Sequence, residues 1–282
     1  MPPTTRPASR PDRRHLLDAL EAQVNDLRRS ERWATYLSHQ ARFHRYSPRN
    51  VLLITMQRPE ATQVAGYRTW QSLGRNVRRG EQALSILAPM RARGPDDEPR
   101  LTGFRWVSVF DVEQTEGAAL VSPVSILEGG DPNGLEDQLA EVALGLGLRL
   151  EHVDLPTGVN GELRWSTSTL ALRADNPGLQ RAKTIAHELG HFLLHRHETN
   201  RARAEIEAES VAYVVMASLG ADATSYSAGY IASWLEHDDG PAVIARSCES
   251  IQRAAAAILD RVATAPAVLV TPRGDRTGRG AA

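Results

Sequence analysis

The run that most restricts this chain is Ala186-His187-Glu188-Leu189-Gly190-His191-Phe192-Leu193-Leu194-His195, set in an apolar segment whose spacing predicts a helix from about Gly178 to Arg196. Residues four apart on an α-helix stand one turn above another, so His187 and His191 can aim two imidazoles at one tetrahedral metal ion. Glu188 is rotated by about 100 degrees around the axis and is placed to hold a proton rather than the metal. Burying such a polar triplet on an apolar helix is unfavourable unless a metal or hydrogen bonds satisfy it. The run therefore reads as a metal site with a general base beside it.

Zinc needs a further protein ligand. His197 has the spacing of the HExxHxxGxxH proteases, but Leu194 stands where the turning glycine would be. A continuous helix carries His197 about 15 Å along its axis from His187, out of reach. His195, one turn beyond His191, reads as a flanking polar group. A second predicted helix, from about Arg203 to Leu219 and ended by Gly220, puts Glu205 and Glu209 on one face. Ala208, Val211 and Ala212 let that helix pack closely on the first. One of the two acids can ligate while the other orients a ligand imidazole. Tyr213, Tyr226, Tyr230 and His237 are candidate oxyanion stabilisers.

With 282 residues, 41% hydrophobic and 24% charged, the chain is globular and long enough for two domains, each expected to bury its own core. Its apolar runs, such as 211–216 and 254–259, are far shorter than the roughly 20 residues that cross a bilayer, so no membrane partner is expected. The first residues contain no apolar signal segment, and the single cysteine, Cys248, allows no intramolecular disulfide. Cys248 reads as a small buried hydrophobe, and the chain as cytoplasmic.

Residues 1–12 and 265–282 read as disordered tails. The stretch 13–40 is mostly helical, and Ser47-Pro48 opens a helix that stops before Pro59. Leu84, Ile86 and Ala88, then Phe104, Trp106, Ser108 and Phe110, alternate as two strands, expected to pair antiparallel across the Gly94-Pro95-Asp96-Asp97 loop. A domain boundary falls near 120–130. Beyond it come a helix near 134–146, strands near 148–153, 162–167 and 169–174 with Asn160-Gly161 as the strongest hairpin turn signal, and a last helix opened by Pro241. The fold class is α+β in two domains: a helical one with a small antiparallel sheet (13–125), and one with a small sheet and the site helices (126–264).

Charge is unevenly spread. Residues 1–110 hold 19 arginines against 10 acids, net +9, whereas residues 111–282 are net −10. Aromatic and basic side chains interleave over 33–110, the pattern that holds single strands by stacking and phosphate contact. Arg45, Tyr46, Arg49, Tyr67, Arg68, Arg75, Arg78 and Arg79 are the candidate nucleic-acid contacts, while Trp33, Trp70 and Trp106 read as core.

The run His187 to His195, followed by Glu205-Ile-Glu-Ala-Glu209-Ser-Val-Ala, resembles the ImmA/IrrE-type metallopeptidases, whose pattern is HELGHxxLH and then ExEAxxxA. The ExxxE spacing also resembles the ExxxD of gluzincin proteases, in which the first acid binds zinc. Glu209 stands where those families usually show Asp or Asn. The resemblance implies a zincin-like domain with one Zn2+ on His187, His191 and Glu205, Glu209 as orienting group or alternative ligand, and amide hydrolysis with Glu188 as general base. Tyr46-Ser-Pro-Arg-Asn50, Gly66-Tyr-Arg-Thr-Trp70, Gly74-Arg-Asn-Val-Arg-Arg-Gly80 and Phe110-Asp-Val-Glu-Gln-Thr115 resemble the N-terminal domain of ArdC-like antirestriction proteins. That domain is associated with single-stranded DNA binding and is coupled in those proteins to a metallopeptidase-like domain.

Together the resemblances imply an antirestriction-related, DNA-binding zinc metallopeptidase with single-stranded DNA and a protein or peptide substrate as partners. Two alternatives stand beside it: a DNA-sheltering protein with a structural or vestigial metal site, and an ImmA/IrrE-like regulator that cleaves a repressor.

Overall fold

The computed structural model describes residues 13–27, 30–93, 98–118, 134–221 and 241–264. The expected tails, the Gly94–Asp97 loop, the boundary at 120–130 and the candidates Tyr226, Tyr230 and His237 lie outside the described residues.

Three helices lead: α1 (Arg13–Asp26), α2 (Ser30–Arg42) and α3 (Pro48–Gln57). Ser47 is extended and Pro48 occupies the first turn of α3, where its missing N–H is harmless. There follow β1 (Val64–Ala65), α4 (Tyr67–Ser72), β2 (Arg75–Val77), β3 (Leu84–Arg93), β4 (Pro99–Asp111), a 3-10 turn at Val112–Gln114 and β5 (Thr115–Gly117). The main sheet has the order β1-β4-β3, antiparallel throughout, and β2 pairs with β5 separately. The expected pairing of the two alternating segments is thus present.

Strand β3 lies at the sheet edge, where bare N–H and C=O groups invite pairing with other chains. Helix α3 closes its base. The Asn50 amide donates to the Leu87 carbonyl at 2.8 Å and accepts the Leu87 N–H at 2.9 Å; Gln57 does the same for Ser85, at 2.9 Å each way. Two side-chain amides stand in for a further strand. At the end of β4, fully buried Asp111 accepts the backbone N–H groups of Thr62, Gln63 and Glu113, tying strand, turn and the approach to β1 together.

The second half comprises α5 (Leu135–Gly145), β6 (Arg149–Val153), β7 (Gly161–Arg164), β8 (Thr169–Arg173), α6 (Gly178–Leu194), α7 (Arg201–Ser218) and α8 (Pro241–Thr264). Its sheet has the order β6-β8-β7, with β6 parallel and β7 antiparallel to β8. This corrects the reading of Asn160-Gly161 as a hairpin turn. The hairpin joins β7 to β8 through 165–168, where Ser168 takes a left-handed conformation at φ 49°. The uninterrupted buried run Thr169 to Leu172 takes the centre of the sheet, as a strand covered on both faces must be apolar throughout. Gly161 serves packing instead: a β-carbon there would overlap the Thr184 side chain on α6.

The two halves do not bury separate cores, as length alone suggested. One apolar cluster runs from Leu16, Trp33 and Leu53 to Ile185, Val214 and Ile258. Trp33 on α2 is fully buried, and its indole N–H donates to Ser210 Oγ on α7 at 3.2 Å. Helices α1 to α3 have more apolar face than their small sheet covers, and α7 and α8 supply the rest. Among the described residues, no helix is long and apolar enough to cross a membrane.

Candidate metal centre

Helix α6 runs to Leu194, and the chain turns at His195 before α7 begins at Arg201. Asn200 caps α7 by accepting the Arg203 N–H. The two helices then pack back to back at Gly190, whose missing side chain lets Ala208 and Val211 come in. This close approach carries Glu205 over the imidazoles of α6.

His187 Nε2 and His191 Nε2 stand 3.1 Å apart, and Glu205 Oε2 lies 3.5 Å from the first and 3.6 Å from the second. Four ligands on a tetrahedral ion with bonds of about 2.0–2.1 Å stand about 3.3 Å from one another. Two imidazole nitrogens and a carboxylate oxygen at these separations are therefore spaced to hold a divalent ion. Among the described residues this is the group of His, Cys, Asp or Glu side chains that converges in this way.

The far nitrogens of both rings are also engaged. His187 Nδ1 meets Glu209 Oε2 at 3.1 Å, and Glu209 Oε1 takes the Lys183 ammonium at 2.8 Å. His191 Nδ1 meets His195 Nδ1 at 3.1 Å, and His195 Nε2 meets Glu207 Oε2 at 3.1 Å. Ser247 on α8 donates to the other oxygen of Glu207. If the Nε2 atoms of His187 and His191 are to present lone pairs, their Nδ1 atoms must carry the protons. His195 then accepts at Nδ1 and donates from Nε2 to Glu207, so one tautomer runs through the whole chain of groups. The role of His195, and the presence of Glu207, Lys183 and Ser247, escaped the sequence. The local signals were the last His of the HELGHxxLH pattern, the second Glu of ExEAxxxA, and the four-residue spacing of Lys183, His187, His191 and His195.

Electrostatics follow the same geometry. Burial pushes the His187 pKa down, but the Glu205 and Glu209 carboxylates outweigh it and the ring is raised to about 9. His187 and His191 hold the Glu205 carboxyl well below the usual range. Burial pushes Glu209 up, and the His187 and Lys183 contacts more than reverse it. Glu188 is 8% exposed, and its burial raises its pKa. It faces a cleft of 680 Å³ between α6 and the edge strand β7, with Trp165 stacked on Phe192 at 5.8 Å on its wall. His197 is exposed in the turn and stands apart from the converging group. Tyr213 is half-buried against the core and does not line the cleft.

The basic candidates scatter. Arg49, Tyr67, Arg68 and Arg79 are exposed, and Arg45 reaches Asp260 at 3.5 Å. Tyr46 is half-buried and donates its hydroxyl to the Val64 carbonyl. Arg75 spends its guanidinium on Thr115 and the Ala118 carbonyl, and Arg78 on Glu81 and the Glu113 carbonyl. The structure uses these three inside the domain, and the two arginines reinforce β2 and β5, which are only three residues long each. Trp33 and Trp70 are core, whereas Trp106 is only half-buried.

Residues 14–117 match the family described as the N-terminal domain of anti-restriction factor ArdC, and residues 145–219 match a peptidase family described as the IrrE N-terminal-like domain. An uncharacterised protein of Bacillus anthracis is 23% identical over 246 residues, covering 70% of this chain and 42% of its own length, so the chain spans less than half of that relative. Crystal structures of the antirestriction ArdC protein from plasmid R388 align with TM-scores of 0.49. The metal-free form is 21% identical and covers 77% of this chain and 85% of its own; the Mn(II)-bound form is 20% identical, with 78% and 90% covered. The chain joins a segment that belongs with the ArdC N-terminal domain family (14–117) to one that belongs with the IrrE N-terminal-like domain family of peptidase type (145–219).

Proposed function

We propose that the second domain is a metal-dependent peptidase and that the first holds single-stranded DNA, in an antirestriction-related role. The observation that carries the hydrolytic reading is the convergence of His187, His191 and Glu205, with Glu188 beside them in an accessible cleft. A divalent ion such as zinc, when bound, supplies Lewis-acid polarisation of a carbonyl and brings the pKa of water toward about 7. Glu188 takes the proton of the attacking water on its carboxylate and returns it to the leaving amine nitrogen. Its raised pKa suits both halves of that task. Glu209 and His195 fix the ring orientations of His187 and His191. The substrate, a protein or peptide, lies between β7 and α6. The DNA-binding reading is supported by the family match over 14–117 and by the net +9 of residues 1–110.

The test pairs metal analysis with a cleavage assay. Glu188→Ala is expected to keep one metal ion per chain and to lose hydrolysis by about two to four orders of magnitude. Glu205→Ala is expected to lose the ion, and Glu209→Ala to keep the ligand set with weaker binding. Should Glu188→Ala shelter DNA and process protein as well as the unaltered chain, the hydrolytic reading falls and the metal site is structural.

A further inference from the structure

The outer face of the β3–β4 ribbon carries an aromatic row that the metal centre does not use. Phe104, Trp106, Ser108 and Phe110 alternate along β4, opposed across the ladder by Pro89, Leu87 and Ser85 on β3 and by Ala65 on β1. Core residues Leu84, Ile86 and Val109 occupy the other face. The strict alternation therefore marks a strand correctly, but Phe104 turns away from the core, while Trp106 and its cross-strand partner Leu87 rest partly against it. Phe104 is 54% exposed and Tyr67 49%, and Tyr67 meets Phe110 edge-on at 6.5 Å. Trp106 lies between them, half-buried.

Exposed aromatic rings on a sheet face are unfavourable in water unless something covers them, and the charge around them selects the occupant. Strands β3 and β4 contain four arginines and one acid, Asp111, which is fully buried at the base. Arg91 continues the side of β3 that carries Leu87 and Pro89, opposite the aromatic row, Arg100 and Arg105 are exposed on the other side of the ribbon, and Arg68 is exposed beside Tyr67. Positions two apart on a strand are separated by about 6.7 Å, a spacing at which successive bases of an extended strand can each meet a ring. A duplex keeps its base faces closed and offers no such contact.

Building on the nucleic-acid reading above, we infer that a single strand of DNA lies along this face, its bases stacked on Phe104, Trp106 and the Tyr67–Phe110 pair and its phosphates met by Arg68 and Arg91. Each stacked base stabilises such complexes strongly and without sequence preference, while arginine–phosphate contacts make binding fall with salt.

The experiment is fluorescence anisotropy of the full chain with a labelled single-stranded oligodeoxythymidylate, over a salt series, with a duplex of equal length as competitor. Phe104→Ala is expected to weaken binding about tenfold with the salt slope unchanged, and Phe104→Trp to restore it. Arg91→Ala is expected to lower the slope by about one. Both side chains are exposed, so unfolding midpoints should not move, and a lowered midpoint in Phe104→Ala that Phe104→Trp leaves uncorrected would overturn the stacking role. Unchanged affinity of Phe104→Ala for a strand the unaltered chain binds would place the DNA elsewhere and overturn the inference alone. Equal affinity for duplex and single strand would also overturn it. Absence of any DNA binding by the unaltered chain would remove the nucleic-acid reading itself.

Discussion

Gly190 on α6 lies so close to α7 that a β-carbon on it would stand 3.0 Å from Ala208 Cα and 3.3 Å from Val211 Cβ. The separation of the two helices, and with it the reach of Glu205 to the imidazoles, is set at this contact. Gly190→Ala adds helix propensity of about 1 kcal/mol and would stabilise an isolated helix. In this packing it is expected to push α7 outward and to weaken metal binding about tenfold or more, as displaced supporting groups do. Competition with a chromophoric chelator reads the change; undiminished affinity would mean that α7 can yield without moving Glu205.

The His191–His195–Glu207–Ser247 chain makes a second claim on metal affinity. Glu207→Ala leaves the His195 N–H buried without an acceptor and frees both imidazoles to rotate. Metal binding is expected to weaken about 10- to 100-fold, with a loss of folding stability of about 1–3 kcal/mol. Glu207→Gln, which keeps an acceptor oxygen, should recover most of the affinity. Glu249→Ala, on the exposed side of α8, is the control and should match the unaltered chain.

Proton release should accompany metal capture. Without a metal, His187 is raised from 6.5 to about 9 by Glu205 and Glu209 against the opposing effect of burial. A group raised in this way stabilises the metal-free fold fully below its unfolded value, and that contribution fades as pH climbs through about 9. A metal must displace the proton, so apparent affinity should rise about tenfold per pH unit between neutrality and pH 9 and level off above it. Titration calorimetry in buffers of different ionisation enthalpy should count about one proton released per ion near neutrality. Buffer-independent heats would mean that the ring is already neutral.

Asn50 carries the edge protection of β3. Asn50→Ala strips the partner from both the N–H and the C=O of Leu87. A loss of about 1–3 kcal/mol is expected for each polar group left buried without a partner, along with a tendency to self-associate through the opened edge. Asn50→Asp keeps the acceptor and loses the donor, so its unfolding midpoint should fall in between. Thermal unfolding and light scattering report the two effects separately.

Much of the local structure was legible because its causes are local. Ser47-Pro48 opens α3, the 3.6-residue period outlines α6 and α7, and the two-residue period outlines β3 and β4. The four-residue spacing of His187 and His191 alone brings two imidazoles to one side of a helix. Glu205 and Glu209 were visible as a pair, but which of them reaches the Nε2 atoms depends on how α7 crosses α6, and that is settled at Gly190.

The remainder was decided by partners far apart along the chain. Trp33 meets Ser210 from 177 residues away, and Ser247 reaches Glu207 from 40. The place of β8 between β6 and β7, the Asn50 and Gln57 amides along β3, and the outward turn of Phe104 are likewise contacts between elements. Periodicity states which face of an element is apolar; burial free energy, summed over the whole molecule, decides what covers that face. That sum exists only once the helices and sheets are packed together.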